Sequence, residues 1–317
     1  MINLIYQNIK LPYNKLIYTM PRLITLHKTS QIGYRETNED KEEYLINLSE
    51  DGGAMDPHYA PIDLFIVCDG HGGSEVSQYV CPRVKKLFSD SSLVYPIEDA
   101  IIFKMFDVIQ KDIINHPKQI GQGCGSTCLV VIRYMKKTRS GLERSGLQVI
   151  NIGDCRAVLS RNGIAQPLTK DHKPIWPEEK RRIDAVNKKY HTNQKIHYDF
   201  GDFRILDLSV SRAFGDLDAV PYLSHVPDIF VYALQPSDEF IIVACDGLWD
   251  VIQTHEAVNF IIDHITNNNI IYYQLQGYVP HDVKYKGKNN IAKRLADYAI
   301  ARGSTDNVSV MIVFLLC

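Results

Sequence analysis

Short apolar runs punctuate the chain at residues 64–68, 128–134, 147–152, 240–245 and 308–316. They are rich in Val, Ile and Phe and too short for independent helices, so each predicts a strand. Several are almost continuously apolar rather than alternating, which predicts sheets covered on both faces. Between them the spacing turns helical. Residues 74–89 place Val76, Val80, Val84 and Leu87 on one stripe, with Ser74 the expected N-cap. Ile97, Ile101, Met105, Val108 and Ile113 predict a second helix that stops near Pro117. Pro177 opens a third, amphipathic through Ile183 and Val186. Thr254 is a candidate cap for a fourth, and a fifth runs from about Asn290 to Gly303 with Ile291, Leu295 and Ala299 inward. Strands in series with helices between them predict α+β layers, a sheet sandwich with helices outside.

Composition narrows the class without changing this picture. The 317 residues are 45% hydrophobic and 23% charged, enough for a sizeable core, and the formal net charge of −2 gives no footprint for a nucleic-acid partner. The short basic clusters at Lys136-Lys137, Arg181-Arg182 and Lys188-Lys189 read as solvated faces. Seven cysteines lack a disulfide framework or zinc-ligand spacing, which predicts a reduced, intracellular protein, cytoplasmic or nuclear. No stretch approaches the ~20 apolar residues of a membrane span, and no signal peptide is expected. No repeat or linker divides the chain. The expected organisation is an N-terminal arm over residues 1–22 and one domain over 23–317, acting as a monomer.

Carboxylates fall in a distinctive place. The run at 64–68 ends in Asp69-Gly70-His71-Gly72-Gly73, the run at 240–245 ends in Asp246-Gly247, and Asp306-Asn307 immediately precedes the last run. If the last strand is antiparallel to the other two, all three aspartates emerge at one rim of the sandwich. Glu39-Asp40 before a strand near 43–47 and Asp154 after the run at 147–152 fit the same rim. Taken alone, Asp-Gly is turn chemistry, His71 a structural turn residue and Arg35 a surface cation. Crowded together, carboxylates repel and hold protons unless cations neutralise them, and oxygen-only ligands suit Mg²⁺ or Mn²⁺.

Eight stretches, in order over roughly residues 25–315, resemble the metal-dependent protein phosphatases of type 2C. They are Arg35-Glu36-Thr37-Asn38-Glu39-Asp40, Asp69-Gly70-His71-Gly72-Gly73, Gly125-Ser126-Thr127, residues 151–158, residues 168–174, Val210-Ser211-Arg212-Ala213-Phe214-Gly215-Asp216, Asp246-Gly247-Leu248-Trp249-Asp250-Val251 and residues 303–310. The resemblance implies a central antiparallel β-sandwich flanked by α-helices on both sides, four layers in the order αββα. It implies two divalent cations, Mg²⁺ or Mn²⁺, with Asp69 bridging both, the Gly70 carbonyl on one, Asp246 and Asp306 on the other, and Glu39 acting partly through water. Asp154 matches the position of a further, weaker ion.

The implied reaction is hydrolysis of phosphoserine or phosphothreonine in phosphoprotein substrates by direct attack of a metal-bridging hydroxide. Arg35 clamps the phosphate and His71 protonates the leaving oxygen. The alternatives are a catalytically silent phosphoprotein-binding module of the same fold and a small-phosphoester hydrolase. Cys155 stands where the family usually has serine, and Cys128 where a small residue is usual. Residues 184–203 lack the family's Ala-Gly-Gly turn, which puts an atypical flap at about 171–211. Asp171, His172 and Arg212 are read as scaffold, and residues 135–146 as an enlarged hairpin loop.

Overall fold

The structure, a computed structural model, describes residues 22–49, 53–137, 143–267 and 290–316. The expected N-terminal arm lies outside the described residues, apart from Arg22. In chain order the strands are β1 (Arg22–Gln31), β2 (Lys41–Ile46), β3 (Ile62–Cys68), β4 (Gly70–His71), β5 (Gly125–Ser126), β6 (Cys128–Lys137), β7 (Glu143–Ile152) and β8 (Arg156–Arg161). They continue with β9 (Ile164–Pro167), β10 (His197–Asp199), β11 (Asp202–Arg204), β12 (Phe214–Gly215), β13 (Asp228–Ala233), β14 (Asp238–Ala244) and β15 (Val308–Leu316). The helices are α1 (Glu75–Phe88), α2 (Asp99–Ile114), α3 (Pro177–Tyr190), α4 (Asp246–Trp249), α5 (Thr254–Asn267) and α6 (Ile291–Ala301).

Two five-stranded sheets carry the molecule, ordered β1-β15-β14-β8-β9 and β13-β7-β6-β3-β2, and every paired neighbour is antiparallel. Alternation within each strand sorts side chains into three layers of core. Phe65, Val67, Leu129, Val131 and Val149 of one sheet meet Ala157, Ile241, Val243, Met311 and Val313 of the other. The opposite face of the first sheet, with Leu64, Ile66, Val130 and Ile132, packs under α1 and α2. The opposite face of the second, with Val158, Ile242, Val310 and Ile312, packs under α4, α5 and α6. Helices therefore cover both sides of the sandwich, and β3 is buried at all seven positions because it is roofed on both faces.

Several local expectations need correction. The core row of α2 is Ile102, Phe106, Ile109 and Ile113, whereas Ile101 and Val108 are exposed. Apolar residues lie on more than one face of α2, so two rows one residue apart both satisfy helical spacing. Ser74 occupies the N-cap position of α1 in a helical backbone conformation and makes no side-chain cap bond. Its hydroxyl instead accepts from Gln78 Nε2 at 2.9 Å. Thr254 is the first residue of α5, and its hydroxyl accepts from Arg156 at 3.2 Å. The stretch expected as a loop at 135–146 is largely strand, since β6 and β7 stay paired out to Lys137 and Glu143. Residues 138–142 lie outside the described residues. Asn290 does cap α6, its side chain accepting from the Lys293 amide at 3.1 Å.

Candidate metal centre and phosphate site

Both main sheets end at one acidic rim. Asp69 follows β3 and is pinned there by Thr127, whose hydroxyl accepts from the Asp69 amide at 3.0 Å and whose amide donates to the Asp69 carbonyl at 2.9 Å. Asp246 opens α4 directly after β14, and Asp154 follows β7. Carboxylate oxygens of Asp69, Asp154 and Asp246 lie within 4.8 Å of one another, and those of Asp40 and Asp69 lie within 4.8 Å of the Cys245 sulfur.

The electrostatics follow from that crowding. Burial, then the charges of Asp246, Asp40 and Asp154, push the Asp69 carboxyl well above the ordinary range. Burial, then Asp154 and Asp250, does the same to Asp246. Burial also lifts Asp40 and Asp250 to about 6. One ammonium answers these charges: Lys173 Nζ donates to Asp154 Oδ2 at 2.6 Å and to Asp202 Oδ2 at 2.9 Å. The second oxygen of Asp154, Oδ1, is buried with no hydrogen-bond partner. A buried, unsatisfied oxygen on a carboxylate grouped with two others is costly unless a cation joins it. The residues present therefore fit hard divalent ions held by oxygen.

Arg35 and Glu39 reach the rim on a loop stapled from the far end of the chain. Asn307 donates through Nδ2 to the carbonyls of Ile32 and Thr37, both at 2.9 Å, and accepts from the Glu39 amide at 2.8 Å. Gly33, at φ 62°, lets the loop close, because a Cβ there would stand 2.1 Å from the Asp306 carbonyl oxygen. Arg35 Nη2 donates to Asp306 Oδ2 at 2.7 Å while its side chain stays 55% exposed, so a planar cation faces solvent beside the carboxylates. Glu39 and Asp306 lie outside the two tight groups. The Glu39 carboxylate meets the Thr37 hydroxyl at 3.4 Å, and Asp306 acts on Asp40 and Asp246 through its charge.

His71 is placed by a small separate sheet ordered β12-β5-β4. This sheet also brings in Asp216, whose role no local sequence pattern marks, and its Oδ2 lies 2.7 Å from His71 Nε2. Burial alone would lower the imidazole, but the bond and charge of Asp216, then Asp154 and Glu39, hold it above its ordinary value. Gly125 makes this pairing possible: a Cβ there would fall 2.0 Å from Asp216 Oδ2 and 2.5 Å from His71 Nε2.

The residues read as scaffold make structural contacts. Asp171 pairs with Arg156 through two bonds of 3.1 and 2.6 Å. His172 Nδ1 accepts from the Gly153 amide at 3.0 Å. Arg212 joins Glu179 at 2.5 Å and Asp228 at 2.8 Å. Within the stretch expected as the flap, Ile183, Ile205 and Val210 share a small core with Ala213, Ala219, Tyr222 and Leu223.

Known proteins share this sandwich. The family profile of protein phosphatase 2C matches residues 26–308, and the chain belongs to that family. It is 63% identical over 172 residues, 54% of its length, to the PP2C-like domain-containing protein R307 of Acanthamoeba polyphaga mimivirus, 96% of which is covered. It is 31% identical over 294 residues, 89% of its length, to the protein kinase and PP2C-like domain-containing protein of Oryza sativa subsp. japonica, but spans only 38% of that protein. Among solved structures, a phosphatase from a pathogenic strain of Toxoplasma gondii superposes with a TM-score of 0.68 at 22% identity, over 94% of this chain and 95% of that one. A sex determining protein of C. elegans superposes with a TM-score of 0.70 at 23% identity, over 92% of this chain and 65% of that one. Both share the fold.

Proposed function

We propose that this chain is an active, divalent-metal-dependent phosphatase acting on phosphoserine and phosphothreonine in proteins. The convergence of Asp69, Asp154 and Asp246 within 4.8 Å, with Asp154 Oδ1 buried and unpartnered, carries this reading. The ligands we assign are Asp69, the Gly70 carbonyl, Asp246, Asp306 and Glu39, with Asp154 on one flank. Two Mg²⁺ or Mn²⁺ ions there would supply Lewis acidity and offset the charge of the transferred phosphoryl group.

The chain's own groups do the rest. The exposed guanidinium of Arg35 offers a planar fork to two phosphate oxygens and fixes the phosphoryl group over the rim. Asp216 occupies His71 Nε2, which leaves Nδ1 as the ring atom that can deliver a proton to the leaving serine or threonine oxygen. Thr127 fixes the backbone of Asp69, and Asn307 staples the loop that carries Arg35 and Glu39, with Arg35 paired to Asp306.

The test is phosphate release from a phosphothreonine peptide and from small phosphate esters, with Mn²⁺, Mg²⁺ or chelator. Peptide turnover that requires the metal is expected. Turnover confined to small esters would make the chain a small-phosphoester hydrolase. Absence of turnover with metal bound would make it a silent phosphoprotein-binding module.

A further inference from the structure

The hairpin β10–β11 stands out from the rest of the surface. Phe200 is 87% exposed and Tyr198 66% exposed, unusual for large aromatic side chains. Phe200 also sits at φ 47°, a left-handed conformation that bulky residues adopt at a cost. Phe203 packs edge-on against Tyr198 with ring centroids 5.2 Å apart, and the Arg204 guanidinium lies over Phe200 at 5.8 Å. Arg204 is itself fixed, donating to the carbonyls of Asp207 at 2.6 Å and Asp199 at 3.3 Å. The rings therefore form a held apolar surface at the hairpin tip.

The rim fixes where that surface stands. Asp202 of β11 and Asp154 of the acidic cluster share the Lys173 ammonium. Phe200 lies two residues along the chain from Asp202, so the tip is within reach of the cluster for three or four residues of extended peptide at ~3.3 Å each. We propose that the tip reads substrate, seating an aliphatic or aromatic side chain three or four residues from the phosphoserine or phosphothreonine. This rests on the phosphatase reading above, which places the phosphoresidue at the rim. Asp202 is a positioning residue, acting through the hairpin it ties to Lys173.

The experiment uses labelled phosphothreonine peptides that differ only in carrying Leu or Ser at the third and fourth positions on either side. Each is measured as kcat/KM with Mn²⁺ and as binding by fluorescence anisotropy with chelator. Wild type is expected to favour the Leu peptides roughly tenfold, the effect of partly burying one such side chain. Phe200→Asn combined with Tyr198→Thr should bring the ratio near one; Asn is chosen because it tolerates positive φ. The ratio is taken on a single enzyme, so any change in overall turnover cancels.

Asp202→Asn should lower the ratio part-way and speed amide exchange over residues 197–204. A wild-type ratio near one, or a ratio that survives in the double variant, overturns the proposal. So does a wild-type chain that self-associates where the double variant does not, which would assign the tip to a second copy. Absence of turnover with the anisotropy preference intact would remove the phosphatase reading and leave the peptide-reading tip standing.

Discussion

At the scale of single residues, the rim works because short-range neighbours are few and long-range ones are many. Asp216 lies 145 positions from His71, and Asn307 lies 268 from Glu39. His71→Ala should slow phosphopeptide hydrolysis about 100-fold while affecting an aryl phosphate far less, because that leaving group needs little protonation. Steady-state kinetics on both substrates check this, and equal losses would remove His71 as the proton donor. Gly125→Ala should reproduce the same leaving-group pattern in weaker form, since its methyl group must part His71 from Asp216. If Gly125→Ala kept both rates, the Asp216 contact would have no part in the chemistry.

The separations also explain what the sequence made legible. The crowding of Asp69 and Asp246 at one rim is legible in the sequence because each adjoins a glycine-containing turn and a recognisable strand. Thr127, Lys173, Asp216 and Asn307 matter through partners that no local pattern links, so their roles appear only in three dimensions.

Among elements, strands were the readable part. The run Leu64–Cys68 is apolar throughout, and only a strand roofed on both faces uses so short a run fully. The α2 row was misread because periodicity cannot choose between Ile101 and Ile102 when both are apolar. Two stability predictions belong here. Asp63 is a charge inside β3, held by Arg133 at 2.5 Å and by the amides of Asn47 and Leu48 at 3.1 and 3.2 Å. Asp63→Ala removes one partner of a buried ion pair and should cost about 3 kcal/mol in urea unfolding. A cost below about 0.5 kcal/mol, the range of ordinary surface changes, would mean the pair does not tie β3 to β6.

His27 of β1 is buried, accepts from the Ile291 amide at 3.2 Å, and is pushed by burial down to about 4. The unfolded chain takes up this proton near pH 6.5 and the folded chain only near 4. The contribution is therefore complete above 6.5 and is lost as pH falls through that window, up to about 3 kcal/mol. Subtracting the His27→Gln unfolding curve should isolate a slope between pH 6.5 and 5. A flat difference would show that His27 titrates alike in both states.

For the whole molecule, the sandwich explains why the site is where it is. Two sheets end at one edge, so strands distant in sequence deliver Asp69, Asp154 and Asp246 to one place, and the three layers of core hold that edge rigid. Three carboxylates so close are tolerable only with compensating charge, of which Lys173 supplies one unit. Calorimetric titration of Mn²⁺ into wild type and Asp246→Asn tests this most directly. Two sites in wild type, with one lost or at least 100-fold weaker in Asp246→Asn, is the expected result. No Mn²⁺ binding in wild type, or unchanged stoichiometry and affinity in the variant, would contradict the assignment of this rim as a two-metal centre.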